Sequence, residues 1–319
     1  MNNQKIAWKR VLYIRLTSNY NNKKVIEIGN TQEDSKRPRI VVVGHKYPSV
    51  YKDEFVIDIY NLSYKELIDI IRYKFYNVEI FAGYESLNVN KIFDGGIVYI
   101  TNEKKEHNTT IAHLICASKL ISRANVARNN FSIRSGMNMY SALQYINEML
   151  EIKNANIDES FKERFIQESM VANKNIGSIL DTFANSDNNI FVSTDSTNGE
   201  FYSIWSLDTS KQVATKIDTN KGMIIDGYPM ATSEGIKFKS LPVTNYKPGM
   251  LISIDSEYID VSVSSLAQAI ETPLTVYMDR NGLYYIFQLD YSLDNYGTSN
   301  FYVGITAKSR DVLTNIIGQ

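Results

Sequence analysis

Short strand-period runs separated by polar turns dominate both ends of the chain, and they leave room for little except antiparallel sheet. In the first third, Arg10–Thr17 (RVLYIRLT), Lys23–Gly29 (KKVIEIG) and Arg39–Tyr47 (RIVVVGHKY) are apolar or alternating segments. Phe55, Ile57 and Ile59 then alternate with Val56, Asp58 and Tyr60. Asn77–Tyr84 (NVEIFAGY) is a further strand, and Lys91–Lys104 and Asn108–Ser118 make a hairpin around a charged turn. One helix interrupts this pattern, so the region is best closed as a small barrel or sandwich.

That helix follows its strand almost without a loop. After Tyr60 the period changes, and Leu67, Ile68 and Ile71 recur at helical spacing. Ser63 and Glu66 form a capping box: the Ser63 hydroxyl accepts from the Glu66 N–H, and the Glu66 carboxylate accepts from the Ser63 N–H. Leu62 and Leu67 stand at the positions of a hydrophobic staple. Such a cap contributes about 1 kcal/mol and fixes the boundary.

The middle reads differently. Met139, Leu143, Ile146 and Leu150 recur at spacings of an amphipathic helix. A helical turn is expected from Asp158, and Ile176, Ile179, Leu180 and Phe183 share another helical face. Asn198-Gly199 between apolar strands predicts a two-residue hairpin turn. Together these make a compact α/β insert. From about Asp218 the chain returns to strands, with turns expected at Gly227-Tyr228-Pro229, Glu234-Gly235 and Pro248-Gly249, and a last hairpin over Gly282–Ser309.

The last hairpin echoes an earlier one. Gly96-Ile97-Val98-Tyr99-Ile100 starts a strand whose partner ends at Ala117-Ser118-Lys119; Gly282-Leu283-Tyr284-Tyr285-Ile286 starts one whose partner ends at Ala307-Lys308-Ser309. Either a duplication or common hairpin chemistry produces such a likeness.

Chemistry is scarce. His113 and Cys116 would fall on opposite faces of a strand, so they do not form a nucleophilic pair. His45, His107 and His113 lack metal-ligand spacing. Asp195–Glu200 (DSTNGE) lacks the alternating acidic ligands of a calcium loop. Asp94-Gly95-Gly96 has no helix behind it to bind phosphate. The adjacent Asp53 and Glu54 point apart, so they cannot flank one glycosidic bond. No catalytic residue, metal ligand or cofactor site is expected. The single cysteine excludes internal disulfides, and a net charge of −1 leaves no basic excess to match a nucleic-acid backbone. No signal peptide is expected at the N-terminus, and no apolar run reaches the roughly 20 residues of a membrane anchor.

The stretch Lys221–Asp255 resembles a recurrent segment in the central hub proteins of phage tail baseplates, the late-control protein D-like family of contractile tails. Gly222-Met223-Ile224 with Gly227-Tyr228-Pro229, then Gly235-Ile236-Lys237-Phe238 with Leu241, then Pro248-Gly249-Met250-Leu251-Ile252-Ser253-Ile254 fill its three parts. The first spacing is longer than usual, and Leu241-Pro242-Val243 replaces an L-N-P-like step. Asn281-Gly282, Asp294, Gly297 and Phe301-Tyr302 resemble the strand pair that follows in those hubs, and Asp53–Ile100 resembles their N-terminal domain.

The resemblance implies an α+β, mainly β fold. Two related small tail-tube-like β-barrel domains, 1–120 and 216–319, would flank an α/β insertion at 121–215. It implies a non-enzymatic hub: a homotrimeric ring joining the six-fold tail tube, or a tube-initiator protein, to the three-fold spike among other baseplate proteins. DNA would pass through the channel without specific binding. The place would be the virion tail baseplate, after assembly in the bacterial host cytoplasm. A tail-associated cell-wall-degrading enzyme and a carbohydrate-binding host-recognition protein are the alternatives.

Overall fold

The computed structural model describes residues 9–18, 25–30, 38–48, 53–72, 77–104, 109–118, 131–149, 154–172, 190–193, 202–206, 213–218, 223–232, 235–256, 282–296 and 300–309, with 152, 179, 180, 182, 183 and 259. The expectations resting on His107, Leu150, Ile176, Asp195–Glu200 with its Asn198-Gly199 turn, Gly222, Glu234, Asn281 and Gly297 lie outside the described residues.

The first part holds β1 (Arg10–Thr17), β2 (Val25–Asn30), β3 (Ile40–Lys46), β4 (Glu54–Tyr60), α1 (Tyr64–Arg72), β5 (Asn77–Tyr84), β6 (Val89–Lys104) and β7 (Thr110–Ser118). The capping box is formed as expected. Ser63 N–H donates to Glu66 Oε2 at 3.0 Å, and Glu66 N–H to Ser63 Oγ at 3.2 Å. Leu62 and Leu67 belong to one core cluster. The buried face of α1 differs from the expected one: Leu67 and Ile70 are buried, whereas Ile71 is exposed. The helix ends one residue after Ile71, so only one i,i+3 pair reaches the sheet. Removing both cap groups, Ser63→Ala with Glu66→Ala, is expected to cost about 1–2 kcal/mol. A urea titration followed by circular dichroism checks this.

The middle part holds β8 (Phe131–Ile133), α2 (Met139–Met149), β9 (Ala155–Ile157), a 3-10 turn (Glu159–Glu163), β10 (Met170–Ala172), β11 (Ile190–Ser193) and β12 (Tyr202–Ser206). Asp158 caps the 3-10 turn by accepting from Ser160 N–H, so the helical start falls where the sequence places it. Met139, Leu143 and Ile146 pack with Ile179, Leu180, Phe183 and Ile204 in a core of their own. β11 and β12 pair antiparallel, and β9 joins β12 in parallel.

The last part holds β13 (Thr215–Asp218), β14 (Ile224–Ala231), β15 (Gly235–Ser240), β16 (Leu251–Asp255), β17 (Leu283–Asp294) and β18 (Phe301–Ser309). The expected turn at Gly227-Tyr228-Pro229 is instead a bulge within β14. Pairing with β15 breaks after Ile225↔Lys239 and resumes at Met230↔Lys237. Asp226 and Gly227 take positive φ, 60° and 108°. An edge strand tolerates this, because a proline there removes no needed ladder donor.

Most strands join one large sheet ordered β14-β15-β18-β17-β3-β4-β7-β6-β5-β1-β2, with β13 and β16 branching from β17. The fold is α+β and mainly β. Within the sheet one sequence of neighbours occurs twice. β3-β4-β7-β6-β5-β1 in the first part is matched by β14-β15-β18-β17-β16-β13 in the last. Only the final pairing differs in sense: β5–β1 is antiparallel and β16–β13 parallel. Both long hairpins carry a bulge at the same place. β6 slips between Ile97↔Cys116 and Tyr99↔Ile115; β17 slips between Ile286↔Ala307 and Gln288↔Thr306.

Candidate functional site

The two ends of the chain meet at one seam. β17 runs antiparallel to β3 from Leu289 opposite Lys46 to Asp294 opposite Val41. Its core side is closed by Phe55, whose ring lies 5.5 Å from Tyr291 and 4.4 Å from Phe93. Gly44, opposite Tyr291, leaves the space for that ring: a Cβ there would fall 2.2 Å from it.

Polar groups fasten both ends of the seam. Arg39 donates through Nε and Nη2 to the two oxygens of Asp294 at 3.2 and 2.6 Å, and its guanidinium lies 4.8 Å above the Tyr60 ring. The hydrogen bond to Asp294 raises the Arg39 pKa above its ordinary value. Asn295 accepts from Ile40 N–H at 2.7 Å and donates to the Pro38 carbonyl at 3.2 Å. At the other end His45 Nδ1 sits 2.6 Å from Asp290. A cleft of about 870 Å3 opens beside the Arg39 corner, lined by Tyr60, Glu66, Ile70 and Tyr296 among others. Arg39 and Glu66 are already engaged with Asp294 and Ser63, so they brace the cleft walls.

The residues weighed for chemistry are held apart. His113 faces outward, with Nδ1 2.7 Å from Asp58 and Nε2 3.2 Å from Glu103. Cys116 is fully buried on the other face, and burial pushes its thiol pKa up. Asp53 is buried and accepts from Tyr47 N–H, whereas Glu54 is exposed. Asp94 lies inside β6 and pairs with Lys91. Among the described residues no group of three or more His, Cys, Asp or Glu could hold a metal.

His113 is expected to link stability to pH. Burial opposes its charging, but the hydrogen bonds to Asp58 and Glu103 outweigh burial and raise its pKa. A raised histidine pKa stabilises below the unfolded value of about 6.5, and the contribution is lost as pH rises through the folded value. The side chain is 27% exposed and its partners lie at the surface, so about 0.5–1 kcal/mol is expected. Wild type should therefore exceed His113→Gln by that margin near pH 5.5 and match it near pH 8.5 in urea titrations.

The Arg39–Asp294 and His45–Asp290 pairs had no local signal in the sequence, since their partners stand 255 and 245 residues apart. Elsewhere the sheet leaves apolar side chains in solvent: Val98 and Tyr99 on β6 are 60% and 58% exposed.

One large antiparallel sheet in which strands from the first and last parts of the chain pair at an internal seam, with polar groups fastening that seam, defines a mainly β protein of the α+β class. Solved tail proteins share the fold. A 43 kDa tail protein of prophage MuSo2 from Shewanella oneidensis matches 95% of this chain and 98% of its own, at TM-score 0.56 and 6% identity. A tail protein from Neisseria meningitidis MC58 matches 96% and 98%, at TM-score 0.58 and 7% identity. The E. coli c3393 protein, described as a type VI secretion component similar to T4 tail proteins gp27 and gp5, matches 88% and 76%, at TM-score 0.51 and 9% identity. No curated protein matches the sequence. The chain belongs to the baseplate hub gp41 family, whose family model matches residues 60–264. It is a structural component of the phage tail baseplate and works among other tail proteins.

Proposed function

We propose that this protein is the central baseplate hub: a homotrimeric ring that joins a six-fold tail tube, or its initiator, to a three-fold spike in a contractile tail. The carrying observation is the strand order that occurs twice, with a bulge at the same place in both long hairpins. It supports two related β-barrel domains, 1–120 and 216–319, around an insertion at 121–215. Three such chains present six similar units to a six-fold partner, while the chain itself keeps three-fold symmetry. Ring closure through heterologous contacts leaves no open ends. The role is carried by surfaces without catalysis, the axial opening passes DNA without binding its sequence, and assembly takes place in the host cytoplasm.

Electron-microscopy class averages and native mass measurement test this on the purified full chain, alone and with tube and spike proteins. A three-copy ring with an axial opening is expected. A monomer that persists with both partners, or a solid particle, overturns the reading.

A further inference from the structure

The seam between β17 and β3 has a second version of itself, unfilled among the described residues. The hairpin bulges align Ile97 with Ile286 and Cys116 with Ala307. Cys116 pairs with Phe55 on β4, and Ala307 with Ile236 on β15, so Phe55 and Ile236 correspond. Phe55 pairs with Gly44 on β3, and Ile236 with Ala231 on β14, so Gly44 and Ala231 correspond. Burial supports this alignment: all eight residues are buried.

Within the chain, β17 uses its second edge twice, first on β16 and then, from Leu289 onward, on β3. Its counterpart β6 uses that edge on β5 only as far as Gly96. Beyond Gly96, among the described residues, β6 has β7 alone as neighbour, and β14, the counterpart of β3, has β15 alone. Val98 and Tyr99 are exposed, whereas their counterparts Phe287 and Gln288 beside the seam are half-buried.

We propose that the far half of β6 in one copy pairs antiparallel with the outer edge of β14 in a second copy, repeating between chains the seam found within one chain. This rests on the ring reading and names its interface. The register follows from the alignment. Asp290 opposite His45 becomes Thr101 opposite Thr232, and Tyr291 opposite Gly44 becomes Asn102 opposite Ala231. Glu103 then faces Met230, and Lys104 meets the bulge that carries the exposed Asp226. The bulge confines pairing to the stretch after Pro229, and an extra residue run of this kind resists sliding to another register. The contact is heterologous, β6 giving and β14 receiving, so it propagates around a ring.

Thiols test the register directly. In the seam the side chains at the corresponding positions, His45 and Asp290, touch at 2.6 Å. Directly opposed residues hold their Cβ atoms about 4.5–5.5 Å apart, within reach of a disulfide after slight adjustment. Full-length Thr101→Cys/Thr232→Cys protein is oxidised, alone and with tube and spike proteins, and run on a denaturing gel. Covalent multimers are expected, as is a covalent dimer when the two single variants are mixed. Neither single variant should give that product, nor should Thr101→Cys paired with Val171→Cys. Adding Tyr99→Lys should lower the yield several-fold while the thermal melt stays in place. A three-copy ring without cross-linked Thr101/Thr232 thiols overturns the edge pairing and leaves the ring. Cross-linked thiols without any three-copy species uphold the pairing and overturn the three-copy ring.

Discussion

Phe55→Ala is expected to lower stability by about 3–5 kcal/mol, the range for deleting a buried aromatic ring. The ring is fully buried at a place where three strands depend on it. It covers Gly44 on β3, contacts Phe93 on β6 and contacts Tyr291 on β17. Gly44 has no side chain to fill the void, and the paired backbones of β3 and β17 limit collapse. The loss should therefore sit near the top of the range. It should also loosen the seam before the rest of the sheet, so hydrogen exchange at Val41–Lys46 and Leu289–Asp294 should rise more than at Arg10–Thr17. Urea titration gives the magnitude. A loss below about 2 kcal/mol would mean that the seam holds without this ring.

Gly249→Val is the second large effect, expected at about 2–4 kcal/mol. Gly249 has φ +79°, which a β-branched residue adopts only with strain. Its N–H also donates to the Ile286 carbonyl at 2.7 Å, so the backbone is not free to turn away. A Cβ there would fall 2.8 Å from the Trp205 ring and 3.0 Å from Phe191. Those two rings stack on each other across β11 and β12. The middle part thus leans on the last part at this glycine. The variant should shift Trp205 fluorescence and separate the unfolding of the middle part from that of the large sheet. Gly249→Ala should show the same effects more weakly. One unchanged cooperative transition in calorimetry would show that Gly249 does not couple the two.

Local order was legible where a residue pattern is its own cause. The alternation in Arg10–Thr17 and Asn77–Tyr84 marks those strands to the residue. The Ser63–Glu66 box marks a helix start because its two hydrogen bonds are made within four residues. The three-residue strands β8, β9 and β10 are too short to show a period, and the parallel pairing of β9 with β12 depends on register with residues far along the chain. Gly227 and Pro229 carry turn chemistry, but whether they reverse the chain or bulge a strand depends on the partner β15. Of the candidate site, the hairpin echo was visible as a likeness between two strand starts. The residues alone left duplication and common hairpin chemistry both open, because the repeat of the neighbouring strands lies beyond any local pattern. The seam left no trace, since the sequence offers Asp294 only as part of a turn and nothing links it to Arg39, 255 residues away.

The seam also sets a timetable for synthesis. β3 is complete once Lys46 leaves the ribosome, but its partner ends at Asp294. At about 5–20 residues per second, roughly 10–50 s separate the two events. Throughout that interval the growing chain displays the open edge of an apolar strand, the surface on which nascent β-proteins mispair. Neighbouring ribosomes on one message hold such edges close together. Slow long-range closure of this kind favours a helper that shields the first part until the last arrives. Expression at lower temperature, or with a holdase present, should raise the soluble yield of the full chain.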